Sequence, residues 1–340
     1  MTAATGGVPL GWGFVGTGAV SRSVASDLAL VAPARSIAVC SRDAGRARDF
    51  ADELGVERAY DSLDAFLDDD AVEIVHIGTP HSTHADLAVR CLEAGKHVLV
   101  EKPMGVDAAE VERIATAARA AGLFAMEGMW MRFHPSYRAL LAAARDGDIG
   151  EVTSVRATFG LPFGDRDSGR WSAELASSTL LDQGIYPVTL ACDVLGQPAS
   201  IVAEIDARED GVDVTVHATL GFAESRFAHI GASMVGYLEP SAAISGTRGW
   251  LELPAPFWAT DRLVRHVGDL GAALTTPRTD VFDREGQGYV PMLRAVTDAV
   301  ARGDTEHPDH PLSSTIAIAR VLDAIRAAAS AASQNRKSIR

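Results

Sequence analysis

Between Leu10 and Ser21 the chain reads Leu-Gly-Trp-Gly-Phe-Val-Gly-Thr-Gly-Ala-Val-Ser. A short apolar run ends on Gly16-Thr17-Gly18 and passes through Ala19 and Val20 into a helical pattern that continues at Val24 and Leu28. Residues in that order can hold a pyrophosphate. The glycines let the backbone turn sharply and approach an anion closely, while the open amides and positive dipole end of the helix face its charge. Ser21 stands where a third glycine is usual, and is small enough for close helix–strand packing. A second chemical signal follows the apolar run Ser36–Cys40. A site for NAD places a carboxylate there, on the ribose hydroxyls; this chain has Ser41 and Arg42, with Asp43 only after them. A hydroxyl and a guanidinium suit a 2′-phosphate, so NADP is expected in preference to NAD.

The elements that must carry these groups alternate strand with helix. Strands are expected at Ser36–Cys40, Val72–Gly78 and Lys96–Val100, and helical patterns lie between them, one running through Phe50 and Leu54 and another capped by Ser82 or Thr83. Each strand ends on polar or glycine-rich residues: Gly16–Gly18, Ser41-Arg42, Thr79-Pro80-His81 and Glu101-Lys102-Pro103. In an open parallel sheet, ligands bind beyond the carboxyl ends of the strands, so the agreement points to a doubly wound Rossmann domain over residues 1–130. His81 and His84 have no third ligand near them in the sequence and are expected to line the cofactor cleft, with no metal.

Beyond Gly150 the period changes to two. Ile201, Ala203 and Ile205 alternate with polar residues, as do Val212, Val214, Val216, Ala218, Leu220 and Phe222. Glu209-Asp210-Gly211 and Ala223-Glu224-Ser225 make turns between such strands. Further strands are expected at Val152–Phe159, Arg226–Met234, Ala242–Ser245, Gly249–Leu253 and Leu263–Val267. Helices are expected at Phe133–Gly147, Leu180–Leu195, Gly288–Arg302 and Ser313–Ala332, with a basic, frayed tail from Ser333 to Arg340. Residues 131–340 thus form an α+β domain with an open, mainly antiparallel sheet.

Composition bounds the partners. The 340 residues carry a net charge of -14, without the basic stripe that nucleic acid requires. No apolar run approaches membrane-spanning length, and Met1–Pro9 reads as a loose end with no signal peptide. Cys40, Cys91 and Cys192 are few and widely spaced, as in a reducing compartment, so a cytoplasmic location is expected.

Several motifs together resemble a known family. Gly16-Thr17-Gly18, Thr79-Pro80 with His84, Glu101-Lys102-Pro103, the run Glu127–Pro135 and the run Leu180–Tyr186 follow one another as in the glucose-fructose oxidoreductase and inositol dehydrogenase (Gfo/Idh/MocA) family. They are most similar to its dimeric dihydrodiol dehydrogenase and NADP-dependent xylose dehydrogenase branch. The resemblance implies that Lys102 points at the reacting carbon and the nicotinamide ribose, that Tyr186 is the acid/base residue, and that Asp182 lies beside it. It implies that Trp130 and Arg132 border the nicotinamide or substrate and that Phe159 forms a wall. Thr79, Pro80, His84 and Glu101 would then join Gly16–Val20, Ser41 and Arg42 around the cofactor. Pairing of subunits through the open sheet implies a homodimer. The chain departs from the pattern at Ser177-Ser178-Thr179, in place of glycines, and at Pro187 directly after the tyrosine.

The chemistry also stands on the residue types. Oxidation of a carbinol, or the reverse, needs a group that moves the hydroxyl proton. A free tyrosine titrates near ~10, so working near neutrality demands roughly 3–4 kcal/mol in favour of the phenolate. A lysine ammonium and an oxidised nicotinamide both act in that direction. Asp182 is the alternative base, with Tyr186 donating to substrate. The expected substrate is a sugar or cyclic vicinal diol. The alternatives are reduction of a keto-sugar of the anhydrofructose type, a dinucleotide-binding regulator without turnover, and cofactor-assisted glycoside cleavage.

Overall fold

A computed structural model describes residues 9–164 and 169–338. It divides into two compact units: one of residues 9–105, Ala109–Trp130 and Arg284–Thr315, the other of Val106–Ala108, Met131–Asp283 and residues 316–338.

The first unit alternates β1 (Leu10–Val15), α1 (Ala19–Leu28), β2 (Ala34–Cys40), α2 (Ala44–Leu54), β3 (Arg58–Tyr60), α3 (Leu63–Leu67), β4 (Ile74–Ile77), α4 (His84–Glu93), β5 (His97–Val100), α5 (Ala108–Ala121) and β6 (Ala125–Glu127). Its sheet has the order β3-β2-β1-β4-β5-β6, every pair parallel. The chain winds outward from β1 to β3, then crosses back to β4. That reversal opens a crevice between β1 and β4, where ligands bind in such sheets. Strands buried on both faces need helices on both sides, and the fully buried residues of β1, β4 and β6 meet that need.

In the second unit α6 (Pro135–Arg145) starts on a proline, whose missing N–H costs nothing at a first helical position. There follow β7 (Val152–Gly160), a π-helical turn (Leu180–Gly184) leading into α7 (Ile185–Leu195), then β8 (Ser200–Ala207), β9 (Asp213–Gly221), β10 (Phe227–Ser233), β11 (Ala242–Gly246), β12 (Gly249–Leu253), β13 (Arg262–Val267), α8 (Leu270–Thr275) and β14 (Arg278–Val281). The sheet order is β14-β13-β12-β11-β7-β10-β9-β8. Among the described strands of this sheet only the β7–β10 pair is parallel. Period two in β9 sends Val214, Val216, Ala218 and Leu220 inward, where α7, buried along nearly its whole length, covers β7 and β10. The opposite side leaves His217, Thr219 and His229 exposed, with Val202 and Phe227 beside them.

The chain then returns. α9 (Val290–Ala301) belongs to the first unit, a return that a single division at residue 130 does not contain. α10 (Leu312–Ser338) continues through the stretch expected to fray, because a helix already nucleated adds a bond with each further residue. Met1–Val8 of the expected loose start, Ile339 and Arg340 of the tail, and 165–168 in the loop Leu161–Ser172 lie outside the described residues. No helix among the described residues is long and apolar enough to cross a membrane.

Candidate active site

In the first unit the phosphate-binding turn has the geometry its glycines permit. Gly16 adopts φ +104, and a Cβ there would lie 2.7 Å from the Gly78 carbonyl oxygen. A Cβ on Gly18 would meet only that same oxygen, at 3.9 Å, so the space above the turn is open. No side chain caps α1 and no acidic residue sits in its first turn, which leaves its leading amides and dipole for an anion. These features fit a dinucleotide pyrophosphate. Ser21 is accommodated because glycine faces it: its Oγ approaches the Gly78 carbonyl at 3.4 Å.

At the end of β2, Asp43 is occupied as the cap of α2. Its carboxylate accepts the Gly45 amide at 2.8 Å and the Arg46 amide at 3.1 Å. The Arg46 amide foremost, with the Gly45 amide and the charges of Arg46 and Arg48, holds it below the usual carboxylate range. Ser41 and the exposed Arg42 precede it, so the nearest carboxylate is turned to the helix.

His84 is fully buried, its Nδ1 2.8 Å from the Pro103 carbonyl and its Nε2 2.8 Å from the Thr79 carbonyl. Expected near the cofactor, His84 ties together the two loops that end β4 and β5. Burial pushes its imidazole down, against the pull of both carbonyls and Glu101. Glu101 is buried beside His76, whose Nε2 lies 3.2 Å from its Oε1. Lys102 follows, half-buried. Met104 donates its amide to Glu127 Oε1 at 3.0 Å, and His310 Nε2 lies 3.4 Å from Glu127 Oε2. Trp130 stacks on Tyr289 with ring centroids 4.7 Å apart. Tyr289 is held in turn by Asp27 of α1, a carboxylate 1% exposed that accepts the amides of Gln287 and Tyr289 at 2.8 Å each. Neither Asp27 nor Tyr289 carries a sequence signal.

In the second unit Tyr186 sits in the first turn of α7, 4% exposed, with the Phe159 ring at 5.5 Å and the Trp258 ring at 6.0 Å. Phe159 and Trp258 stack almost parallel. Trp258 was not foreseen, since it lies between β12 and β13 outside any periodic stretch. Asp182 pairs with Arg170, whose guanidinium lies 4.1 Å over the Phe163 ring. The two departures noted in the sequence account for the local winding. Pro187 has no N–H for the turn before it, and that turn is π-helical. Ser178 donates to buried Asp213 at 2.6 Å and accepts the Leu181 amide at 3.1 Å, while Asp213 takes the Leu180 amide at 2.8 Å. A serine in a glycine's place thus supplies the cap.

Arg132, expected to border the nicotinamide or substrate, is engaged by α7. Its guanidinium, 5% exposed, grips both oxygens of Asp193 on α7, and Tyr137 donates its hydroxyl to the same carboxylate at 2.8 Å. Burial foremost, then the Asp193 charge, pushes the Tyr137 phenol well above its ordinary value. A cleft of about 940 Å³, lined by Arg145, Glu151, Asp193 and Arg226 among others, lies at the far end of α7 from Tyr186 and holds none of the expected site residues. Among the described residues no group of three or more His, Cys, Asp or Glu is arranged for a metal ion.

A Rossmann unit with an open phosphate-binding turn, and a second unit with an open sheet and a recessed tyrosine, define a two-unit nicotinamide-dependent oxidoreductase. The chain belongs to the GFO/IDH/MocA family: residues 10–129 match its oxidoreductase model with NAD-binding Rossmann fold, and residues 137–252 match its C-terminal domain. It is 34% identical to trans-1,2-dihydrobenzene-1,2-diol dehydrogenase of Macaca fascicularis and 33% identical to that of Homo sapiens, over 94% of this chain and 96% of each relative. Among solved structures, a 3-ketoreductase from Actinomadura kijaniata in complex with NADP and TDP-benzene superposes with a TM-score of 0.85 at 28% identity, covering 94% of this chain and 98% of that one. An aldose-aldose oxidoreductase from Caulobacter crescentus shares the fold, with a TM-score of 0.85 at 24% identity, covering 95% of this chain and 98% of that one.

Proposed function

We propose that the protein is an NADP-dependent oxidoreductase acting at a carbinol or carbonyl carbon of a sugar or cyclic vicinal diol. The observation that carries this is the recess in which Tyr186 lies against Phe159 and Trp258. Flat aromatic walls beside one phenol suit a ring whose faces are C–H and whose edge is hydroxyl. Gly16–Val20 hold the pyrophosphate and Ser41 with Arg42 the 2′-phosphate, because the neighbouring carboxylate of Asp43 is spent on α2. Thr79, Pro80, Glu101 and Trp130 border the nicotinamide end. NADP, when bound, supplies or accepts the hydride.

The chain's own groups manage the proton and the charge. Tyr186 takes the hydroxyl proton in oxidation and returns it in reduction. Lys102 places an ammonium where alkoxide and phenolate charge develop, which favours both. Asp182, held by Arg170, orients the neighbouring hydroxyl. The likeness to a 3-ketoreductase supports reduction of a keto-sugar as the working direction of the same site. The exposed side of the second sheet, with Val202 at 72% exposure, supports a homodimer through that sheet. The three free cysteines support a cytoplasmic location.

The test is Lys102→Met. With NADP and NADPH followed by ultraviolet absorbance against aldoses, inositols, cyclic diols and keto-sugars, the parent turns over at least one of these and the variant falls at least 100-fold with its fold intact. Turnover within a few fold of the parent would remove the mechanism. Cofactor binding without turnover of any substrate would favour a regulator.

A further inference from the structure

Three contacts hold the segment from Glu101 to Met104, two of them on its backbone, and none is made by a group on that segment's own strand. Glu101 is met by His76 from β4, the Pro103 carbonyl by His84 from α4, and the Met104 amide by Glu127 at the end of β6. Glu127 is 2% exposed and His310, behind it, is 1% exposed. A carboxylate so deeply buried is costly without partners; its Oε1 accepts the Met104 amide, while the His310 imidazole approaches Oε2 at 3.4 Å without hydrogen-bond geometry. The Gly128 amide, bonded to the Val100 carbonyl at 2.6 Å, fixes the direction from which Glu127 reaches across. Between Lys102 and Met104 stands only Pro103, whose ring locks φ and so removes one of the backbone torsions between the Met104 amide and the lysine.

We propose that Glu127, backed by His310, is a positioning residue for Lys102, acting through the Met104 amide across Pro103. This rests on the role given to Lys102 above. Glu127 meets neither cofactor nor substrate; it sets the direction of the ammonium. The need is for an acceptor at Oε1, with His310 packed against Oε2 behind it. Glutamine therefore serves in its place, and a side chain too short to reach does not.

The experiment compares Glu127→Gln, Glu127→Asp and Glu127→Ala, each as the full chain with NADPH, using the substrate identified above. Hydrogen exchange of the peptide spanning 101–105 is the readout independent of turnover. In Glu127→Ala the Met104 amide exchanges at least tenfold faster than in the parent, kcat falls about 30-fold, and KM and the Kd for NADPH stay within threefold. Glu127→Gln stays within threefold of the parent in every measure. Should the alanine variant not fold, Glu127→Asp carries the test, with faster exchange and a kcat loss of roughly tenfold. In a Lys102→Met background, adding Glu127→Ala or Glu127→Asp slows turnover no further, since a group that acts through the lysine has nothing left to position. Fast exchange with kcat within twofold of the parent would overturn the proposal, as would multiplying losses in the double variant or equal damage from Gln and Ala. Full turnover in Lys102→Met alone would instead strike at the mechanism on which it rests.

Discussion

Arg132 offers the sharpest test of what holds α7 in place. In Arg132→Met the carboxylate of Asp193, 15% exposed, loses its guanidinium and keeps only the Tyr137 hydroxyl. Removing one partner of a buried ion pair costs about 3–5 kcal/mol, while the remaining hydrogen bond returns on the order of 1 kcal/mol and is unchanged by the substitution. For a unit of this size each kcal/mol shifts Tm by roughly 2–4 °C, so a fall of roughly 6–20 °C is expected. Arg132→Met/Asp193→Leu removes both charges together, and an apolar pair of similar volume is expected to come within about 1 kcal/mol of the parent or above it. The measurements are calorimetry and urea denaturation of all three proteins, with NADPH affinity followed by fluorescence. A lock on α7 predicts that the double variant regains stability and cofactor affinity together. If stability returns while affinity stays at least tenfold weaker, Arg132 touches the cofactor as the family resemblance implies. A loss below about 1 kcal/mol in Arg132→Met would refute the lock itself.

Arg42→Asp is expected to weaken NADP at least tenfold while changing NAD far less, measured by fluorescence titration; equal effects on both cofactors would remove the 2′-phosphate assignment. Ser178→Ala leaves the Leu181 amide without its acceptor and Asp213 with the Leu180 amide alone, and should cost about 1–3 kcal/mol in urea denaturation. No loss there would mean the π turn holds without its cap. His97 Nδ1 accepts the Phe124 amide at 2.9 Å, and burial pushes its imidazole down. Because its folded value lies below its unfolded one, stability is full above the ordinary histidine range and falls as pH drops below ~6.5, by up to about 1.4 kcal/mol per pH unit. His84 acts in the same direction, so His97→Gln should reduce this slope without abolishing it; an unchanged slope would count against the assignment. Sedimentation should give twice the chain mass for the parent and the chain mass for Val202→Arg; a monomeric parent would end the dimer proposal.

Much of the nucleotide-binding unit is legible in the sequence because its signals are local. A glycine turn between an apolar run and a helix, and polar residues after each buried strand, follow directly from the spacing. β3 and β6 leave no trace because three residues show no period. The second unit's strands announce themselves by alternation, whereas Trp258 sits between strands where no pattern constrains it. Tyr186, Asp182 and Lys102 were named by family likeness. What spacing could not supply is their partners: Arg170 for Asp182, Asp193 for Arg132 and Glu127 for the lysine's loop are choices of tertiary packing. The return of Arg284–Thr315 to the first unit is likewise invisible, since sequence neighbours suggest one domain and contacts assign another.

Asp27 and its amide partner on Gln287 are separated by 260 positions, which sets an order of events during synthesis. When β6 has left the ribosome the whole parallel sheet exists, yet α1 still carries a carboxylate with no amides to receive it, and Trp130 has no Tyr289 to lie against. The nucleotide-binding unit is completed only after Met131–Asp283 of the other unit have been made. A nascent chain halted at residue 130 therefore lacks both contacts, and the two halves mature on one clock.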